Sequence, residues 1–351
     1  MRLLILTQKV DQNDNVLGFF HRWIIEFAKH AEKVLVICLY EGEHNFPKNV
    51  EVYSLGKEKG PSRLKYVVRF YRLLWELRGQ YDGVLVHMNQ VYVILGGIIW
   101  RFAGTPVGLW YAHRARTFSL WLAEKFTNVV FTNSSASFTV PTKKAKYLGH
   151  GIDVAALVPP ASFMEAKNKY AIVSVGRISP DKDQKTIVRA CGILLRQGVP
   201  ITCAFVGAPS ASGDSEYFQE LQTLVKRENI ESNVFFKGGL PQSEVFPFYW
   251  RSNIHINACE RGSLDKVILE AAAAGAIPVV ANDAFEDTLG EYTDRLIFKK
   301  GDAEDLAKRI KDLIESNDQE GVRAMMAKRV RTNFDLAVLV KNIINWYETS
   351  R

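Results

Sequence analysis

Arg177 and Lys182 stand in one loop, Gly176-Arg177-Ile178-Ser179-Pro180-Asp181-Lys182, directly after an apolar run that ends at Val175. Gly176 permits a tight exit from that run. The guanidinium offers a planar fork of donors and the ammonium a movable point charge, a pair that suits a diphosphate better than a single carboxylate. A solvated surface turn would carry the same residues, so spacing alone leaves both readings open. A second segment runs from Asn257 to Ala271. Here an apolar run ends near Asn257, Gly262 and Ser263 make a turn, and Leu264, Asp265, Lys266 and Val267 open an alanine-rich helix. The amides of a helix start, with the positive end of its dipole, favour an anion. Glu270 lies one turn further in. Its carboxylate can accept two hydrogen bonds from vicinal sugar hydroxyls, or it can be a solvent-facing glutamate paired with Lys266 four residues earlier. His113, after Trp110-Tyr111-Ala112, reads by itself as a satisfied histidine at a strand end.

Positioning these residues takes strands that alternate with helices. Strands are expected over residues 3–7, 34–39, 50–54, 84–87, 107–110, 129–133 and 145–148, with helices over 17–30, 61–78 and 92–103 and a loop over 8–17. A second series follows: strands 171–175, 202–206, 234–236, 254–257 and 277–280, and helices 184–197, 215–228, 242–250 and 266–274, with residues 303–347 helical by pattern. Strands separated by helices argue for parallel sheets covered on both faces. The fold class is therefore α/β, with two doubly wound Rossmann-like domains facing a cleft, and ligands in such sheets bind at the carboxyl ends of strands. The expected division is an N-terminal domain over 1–155, a linker over 156–170 around Pro159-Pro160, a C-terminal domain over 171–333, and a last helix over 334–351 that can pack back on the first domain.

Composition excludes several classes. Hydrophobic residues make up 47% and charged residues 24% of 351 residues, which is ordinary globular usage rather than a disordered tail, a collagen repeat or a disulfide scaffold. The apolar stretch 91–100 ends at Arg101 and is too short for a bilayer, and the apolar start gives way at Thr7 before it could serve as a signal peptide. Cys38, Cys191, Cys203 and Cys259 lack CxxC spacing and are expected as buried free thiols in a reducing, cytoplasmic setting. The net charge of +7 is uneven: the first 170 residues carry about +9 and the remainder about −2, so one half is expected to meet something anionic.

Together these segments resemble the retaining family-4 glycosyltransferases of the GT-B fold, over nearly the whole chain and most specifically over residues 171–282. The carriers are Gly176-Arg177 with Lys182, Val206-Gly207, Val234 to Gly238, Leu269-Glu270-Ala271, and Gly275-Ala276-Ile277-Pro278-Val279-Val280. The resemblance implies a nucleoside-diphosphate-sugar donor, with UDP or GDP as nucleotide and no cofactor. Arg177 and Lys182 would hold the diphosphate, aided by the amides of Leu264, Asp265, Lys266 and Val267. Glu270 would bind the ribose, the loop Lys237–Leu240 with Gly239 would border the base, and Gly176 is counted among the donor-binding residues. In the first half it places Gly18 beside the donor phosphates and His113 near the transferred sugar. The family's two glutamates stand seven residues apart, but Gly262 occupies the first of those positions here, so Glu260 and Asp265 become the candidates for the donor sugar. The histidines are scattered, and no metal is expected. The implied activity is metal-independent, retaining transfer to a saccharide or lipid-linked acceptor, with the leaving phosphate taking the acceptor's proton.

The basic half has a candidate membrane contact. Residues 61–78 place Leu64, Val67, Val68, Tyr71, Leu74 and Trp75 near one face, among Arg63, Lys65, Arg69, Arg72 and Arg78, with Arg114, Arg116 and Lys143, Lys144 and Lys146 elsewhere in that half. A basic amphipathic helix with interfacial aromatics can lie on an anionic inner-membrane surface, although the same stripe can simply pack on the sheet. Two other functions stay open: a GT-B nucleotide-sugar epimerase and a non-catalytic binder of anionic partners. Nucleic acid is not expected, since no helix-turn-helix, zinc spacing or aromatic-interleaved basic motif occurs. A nicotinamide dehydrogenase is excluded by the lack of a GxGxxG after any strand.

Overall fold

The structure, a computed structural model, describes residues 1–350 apart from 15, 61, 114, 135–136, 164–167, 211–212 and 260–263. It divides into two compact units, Met1–Gly151 with Leu336–Arg351, and Ile152–Asp335.

The first unit runs β1 (Arg2–Val10), α1 (Phe19–His30), β2 (Lys33–Glu41), β3 (Val50–Ser54), α2 (Arg63–Glu76), β4 (Gly83–His87), α3 (Gln90–Phe102), β5 (Val107–Trp110), α4 (Phe118–Phe126), β6 (Val129–Thr132) and β7 (Ala145–Tyr147). Its parallel sheet has the order β3-β2-β1-β4-β5-β6-β7, which reverses between β1 and β4. A strand buried on both faces reads as an unbroken apolar run, and Leu3-Leu4-Ile5-Leu6 shows why. Leu3 and Ile5 pack with Phe20, Trp23 and Phe27 on one face, whereas Leu4 and Leu6 pack with Phe70, Leu73, Tyr92 and Trp100 on the other. The last helix of the chain joins the first of these faces through Leu339, Val340, Ile343 and Tyr347. The Tyr347 hydroxyl donates to the Val84 carbonyl (2.5 Å) and accepts from the Gly108 amide (3.1 Å). A Cβ on Gly83 or Gly108 would strike the Tyr347 side chain, so those two glycines make room for it.

The second unit runs β8 (Asn168–Val175), α5 (Gln184–Arg196), β9 (Thr202–Val206), α6 (Asp214–Arg227), β10 (Val234–Phe236), α7 (Gln242–Arg251), β11 (Ser252–Asn257), α8 (Lys266–Ala273), β12 (Ile277–Val280), the short α9 (Glu286–Leu289) and α10 (Thr293–Leu296), α11 (Ala303–Glu315) and α12 (Gln319–Asn333); α13 is the returning helix Leu336–Thr349. Its parallel sheet is ordered β10-β9-β8-β11-β12 and reverses between β8 and β11. Strand β11 is wholly buried and two-sided: Ile254 and Ile256 alternate with Asn253, His255 and Asn257.

Three elements differ from the sequence reading. Helix α4 was not expected, because Phe118 and Trp121 are exposed and blur the apolar stripe. Its start is set instead by Thr117, whose hydroxyl accepts from the Leu120 amide (3.1 Å). Strand β1 continues to Val10 through part of the expected loop 8–17, with Lys9 paired to Asp11 and Asp14. The chain passes between units at Gly151–Ile152, ahead of the expected linker 156–170. Leu157 is buried and its carbonyl accepts from the Trp250 indole (2.8 Å), which ties that segment to the second unit.

Candidate active site

The exits of β8, β9 and β10 are built from glycines. Gly176 has φ +144° and Gly207 φ +151°, and a Cβ on Gly207 would lie 1.9 Å from the Gly176 carbonyl oxygen. No side chain fits there, so the two exits approach backbone to backbone. The Gly207 amide donates to the Gly238 carbonyl (2.8 Å), and the Ile178 amide to Ala208 (3.2 Å). This aligned rim lies at the carboxyl ends of the strands, next to the reversal of strand order between β8 and β11, where α/β sheets bind ligands.

The two cations leave that rim in different directions. The Lys182 ammonium ends a 3₁₀ turn and lies 2.6 Å from the Asp265 carboxylate, at the start of α8. The same carboxylate oxygen accepts from the Asn257 side-chain amide (2.8 Å), and the Asn257 side-chain Oδ1 accepts from the Cys259 backbone amide (2.9 Å). Asp265 is thus turned toward Lys182 and Asn257, and α8 has no side-chain cap. Arg177 is held at the start of α6 instead, 3.7 Å from both Asp181 and the buried Asp214, while its carbonyl accepts from Gln184 (2.9 Å). Both cations therefore already have carboxylate neighbours. The bare positive rim that Arg177 and Lys182 suggest in the sequence is a compensated one.

Glu270 is 5% exposed, so it is not the solvent-facing glutamate that its spacing allowed. One carboxylate oxygen accepts from Gln242 (2.6 Å) and faces Lys266 at 3.2 Å. The phenol of the buried Tyr249 also lies against this carboxylate; burial first, then the negative charge of Glu270, holds the tyrosine proton well above its usual range. His255 completes the group. It is fully buried, edge-on to Tyr249 with ring centroids 5.8 Å apart, and among the described residues neither ring nitrogen has a hydrogen-bond partner. Burial drives its pKa down to about 3; Asp265 opposes the shift and Lys182 adds to it. The imidazole is neutral. Sequence reasoning missed Asn257, Tyr249 and His255 as members of this group. The polar alternation Asn253, His255, Asn257 along one face of a buried strand was the available signal.

The other expected residues fall as follows. Lys237 and Gly239 are exposed at the β10 exit, with the Lys237 ammonium 5.2 Å above the Phe235 ring. Leu264 is buried and Val267 half-buried at the α8 start. Gly18 precedes α1; its amide donates to Asp14 (3.0 Å), and a Cβ would lie 2.4 Å from that carbonyl oxygen, so the turn itself demands glycine. His113 is exposed, and its Nδ1 accepts from the Ala115 amide (3.0 Å). Glu260, Gly262 and Arg114 lie outside the described residues. Among the described residues no group of three His, Cys, Asp or Glu is placed to hold a metal, and no helix is long and apolar enough to cross a membrane. The four cysteines are free and buried.

Residues 160–332, nearly all of the second unit, match the family Glycosyl transferases group 1. The whole chain is similar to Anabaena HepE solved in complex with UDP, at 19% identity and TM-score 0.77, over 99% of this chain and 100% of that one. It is also similar to sucrose-phosphate synthase from Thermosynechococcus elongatus, at 14% identity and TM-score 0.76, over 100% and 99% of the two chains. This is the GT-B glycosyltransferase fold. A shorter stretch of 151 residues is 24% identical to the GDP-Man:Man(3)GlcNAc(2)-PP-Dol alpha-1,2-mannosyltransferase of Dictyostelium discoideum, covering 38% of this chain and 30% of that protein.

Proposed function

We propose that this chain is a retaining glycosyltransferase that moves a hexosyl group from a nucleoside-diphosphate sugar, UDP or GDP, to a saccharide or lipid-linked acceptor. The observation that carries the reading is Lys182, set 2.6 Å from Asp265 at the uncapped start of α8, beside the strand reversal. As the donor enters, Lys182 exchanges the Asp265 carboxylate for a phosphate oxygen, and the α8 dipole and Arg177 add to the field on the diphosphate. The bond from the anomeric carbon to the diphosphate oxygen breaks, and the pair of electrons leaves with the phosphate. The acceptor oxygen bonds to the anomeric carbon on the same face, and its proton passes to the departing phosphate. Glu270 takes the ribose hydroxyls by giving up Gln242 or Lys266 as partner. In the first unit His113 is the candidate for a sugar contact through Nε2, since Nδ1 is engaged by Ala115.

The HepE complexes with UDP and with UDP-glucose support a uridine donor, and the Dictyostelium protein's name supports a guanosine donor and a lipid-linked acceptor. A thermal-shift screen of UDP, GDP and ADP in EDTA decides among them. One nucleotide at about a hundred times its Kd stabilises the fold by about 2.7 kcal/mol. Glu270→Ala weakens that nucleotide more than it weakens inorganic pyrophosphate. No stabilisation by any of the three rejects the reading. Epimerised sugar formed from the donor without acceptor would instead establish an epimerase.

A further inference from the structure

Helix α2 has two apolar sides. Phe70, Leu73 and Leu74 are buried against the sheet, which corrects the placing of Leu74 on the candidate membrane face. Leu64, Val68, Tyr71 and Trp75 follow one another at steps of four, three and four, the spacing of a second helical stripe, and stay exposed, Leu64 by 75% and Trp75 by 68%. The neighbouring α3 extends this surface with Ile98, Ile99 and Phe102, the last 90% exposed. The Tyr71 hydroxyl donates to the Leu95 carbonyl (3.1 Å). Both helices return between parallel strands and so run in the same direction. Trp75, one turn past Tyr71, therefore comes level with Ile99, one turn past Leu95. Helix α4 packs on α3 and adds the stacked pair Phe118 and Trp121, with ring centroids 5.5 Å apart.

Cations frame this surface. From residue 63 to 78 there are five Lys or Arg against one Glu, and that Glu76 is paired with Arg72 at 2.7 Å. The Arg78 guanidinium lies 4.0 Å over the Trp75 ring, and the Lys125 ammonium 5.5 Å over Trp121. Arg101 and Lys125 are exposed at the ends of α3 and α4. A lone soluble protein seldom shows so large an apolar patch without a partner. A second copy docked here would bring like charges together, because a two-fold contact sets the same cations against themselves. A nucleic acid would match the cations and leave the apolar centre unmatched. An anionic bilayer matches both, with aromatic and aliphatic side chains at the acyl boundary and Arg and Lys at the phosphates.

We propose that the outer face of α2, α3 and α4 docks on an anionic lipid bilayer. The proposal goes beyond the transferase reading and does not rest on it. The test is flotation of the full chain with phosphatidylcholine vesicles holding about a third phosphatidylglycerol, against phosphatidylcholine alone, at low and high salt. Binding is expected to the anionic vesicles, about tenfold weaker to neutral ones, and reduced by salt. Leu64→Ser with Trp75→Ser and Phe102→Ser lowers the bound fraction by about tenfold or more while the melting curve and the nucleotide-induced shift stay unchanged. Brominated acyl chains quench the tryptophan emission of the native chain, and less so in Trp75→Phe, which retains the apolar volume. Three results overturn the proposal: no flotation with anionic vesicles at low salt, flotation unaffected by the triple substitution, or a lipid-free dimer that the triple substitution converts to monomer.

Discussion

The two units share one architecture and depart from the usual inside–outside partition in opposite senses. The second unit takes charge inward: Glu270 is 5% exposed, and a neutral His255 sits among Tyr249, Lys182 and Asp265 beneath the strand ends. The first unit leaves apolar surface outside, on α2, α3 and α4, while its own strand reversal is sealed. There His87, at the end of β4, is buried, stacked on Phe20 at 3.8 Å and bonded to Thr7 at 3.2 Å. Apolar atoms on a surface are common, but buried ionisable groups and large apolar patches are not. Each departure carries a free-energy cost within its own unit.

The largest expected effect tests the buried charge. Lys182→Ala removes the nucleotide-induced shift and lowers sugar transfer by about 10²–10³-fold, as loss of one preorganised group at a developing charge does. An unchanged shift would make the Lys182–Asp265 pair mere packing. Next comes acid stability. His255 has its folded pKa pressed from 6.5 to about 3, so the unfolded chain binds the extra proton first. Stability is therefore unaffected by this group above pH 6.5 and is lost progressively as the pH falls from there toward about 3. His255→Leu flattens the pH dependence of denaturant midpoints between those limits; an equally steep curve in the variant shows that another group is responsible.

A smaller and opposite effect is expected at Asp265. Asp265→Asn frees Lys182 from its carboxylate and tightens nucleoside-diphosphate binding about fivefold, measured by titration calorimetry. Weaker binding in that variant would mean that Asp265 itself orders the ligand. The smallest effect is on the other side of the comparison. Trp75→Ser leaves both the melting midpoint and nucleotide affinity within about 0.5 kcal/mol of the native values, because its side chain is largely solvent-exposed. A large loss of stability there would show that α2's outer stripe serves the fold.

Most of the strands and the site's loops were legible in the sequence because their signals are local. Gly176-Arg177 after an apolar run, and Glu270 one turn into an alanine-rich helix, need only neighbouring residues to be recognised. Helix α4 was not legible: its two large aromatics Phe118 and Trp121 face solvent, which blurs the periodicity that marks a helix. Nor was the sense of α2's stripes, since Leu74 and Trp75 are adjacent in sequence and only about 100° apart around the helix, yet one is buried and one exposed.

The sequence by itself determined the α/β architecture, the alternation that buries both faces of each sheet, and the identity of the charged groups at the strand ends. Those depend on the backbone's two periodicities and on residue type. Only the tertiary structure decided which charges meet: that Lys182 finds Asp265 across 83 positions while Arg177 turns to Asp214, and that Tyr249 and His255 close under Glu270. Electrostatics and desolvation act through space within a few ångströms, and a linear chain does not carry those distances.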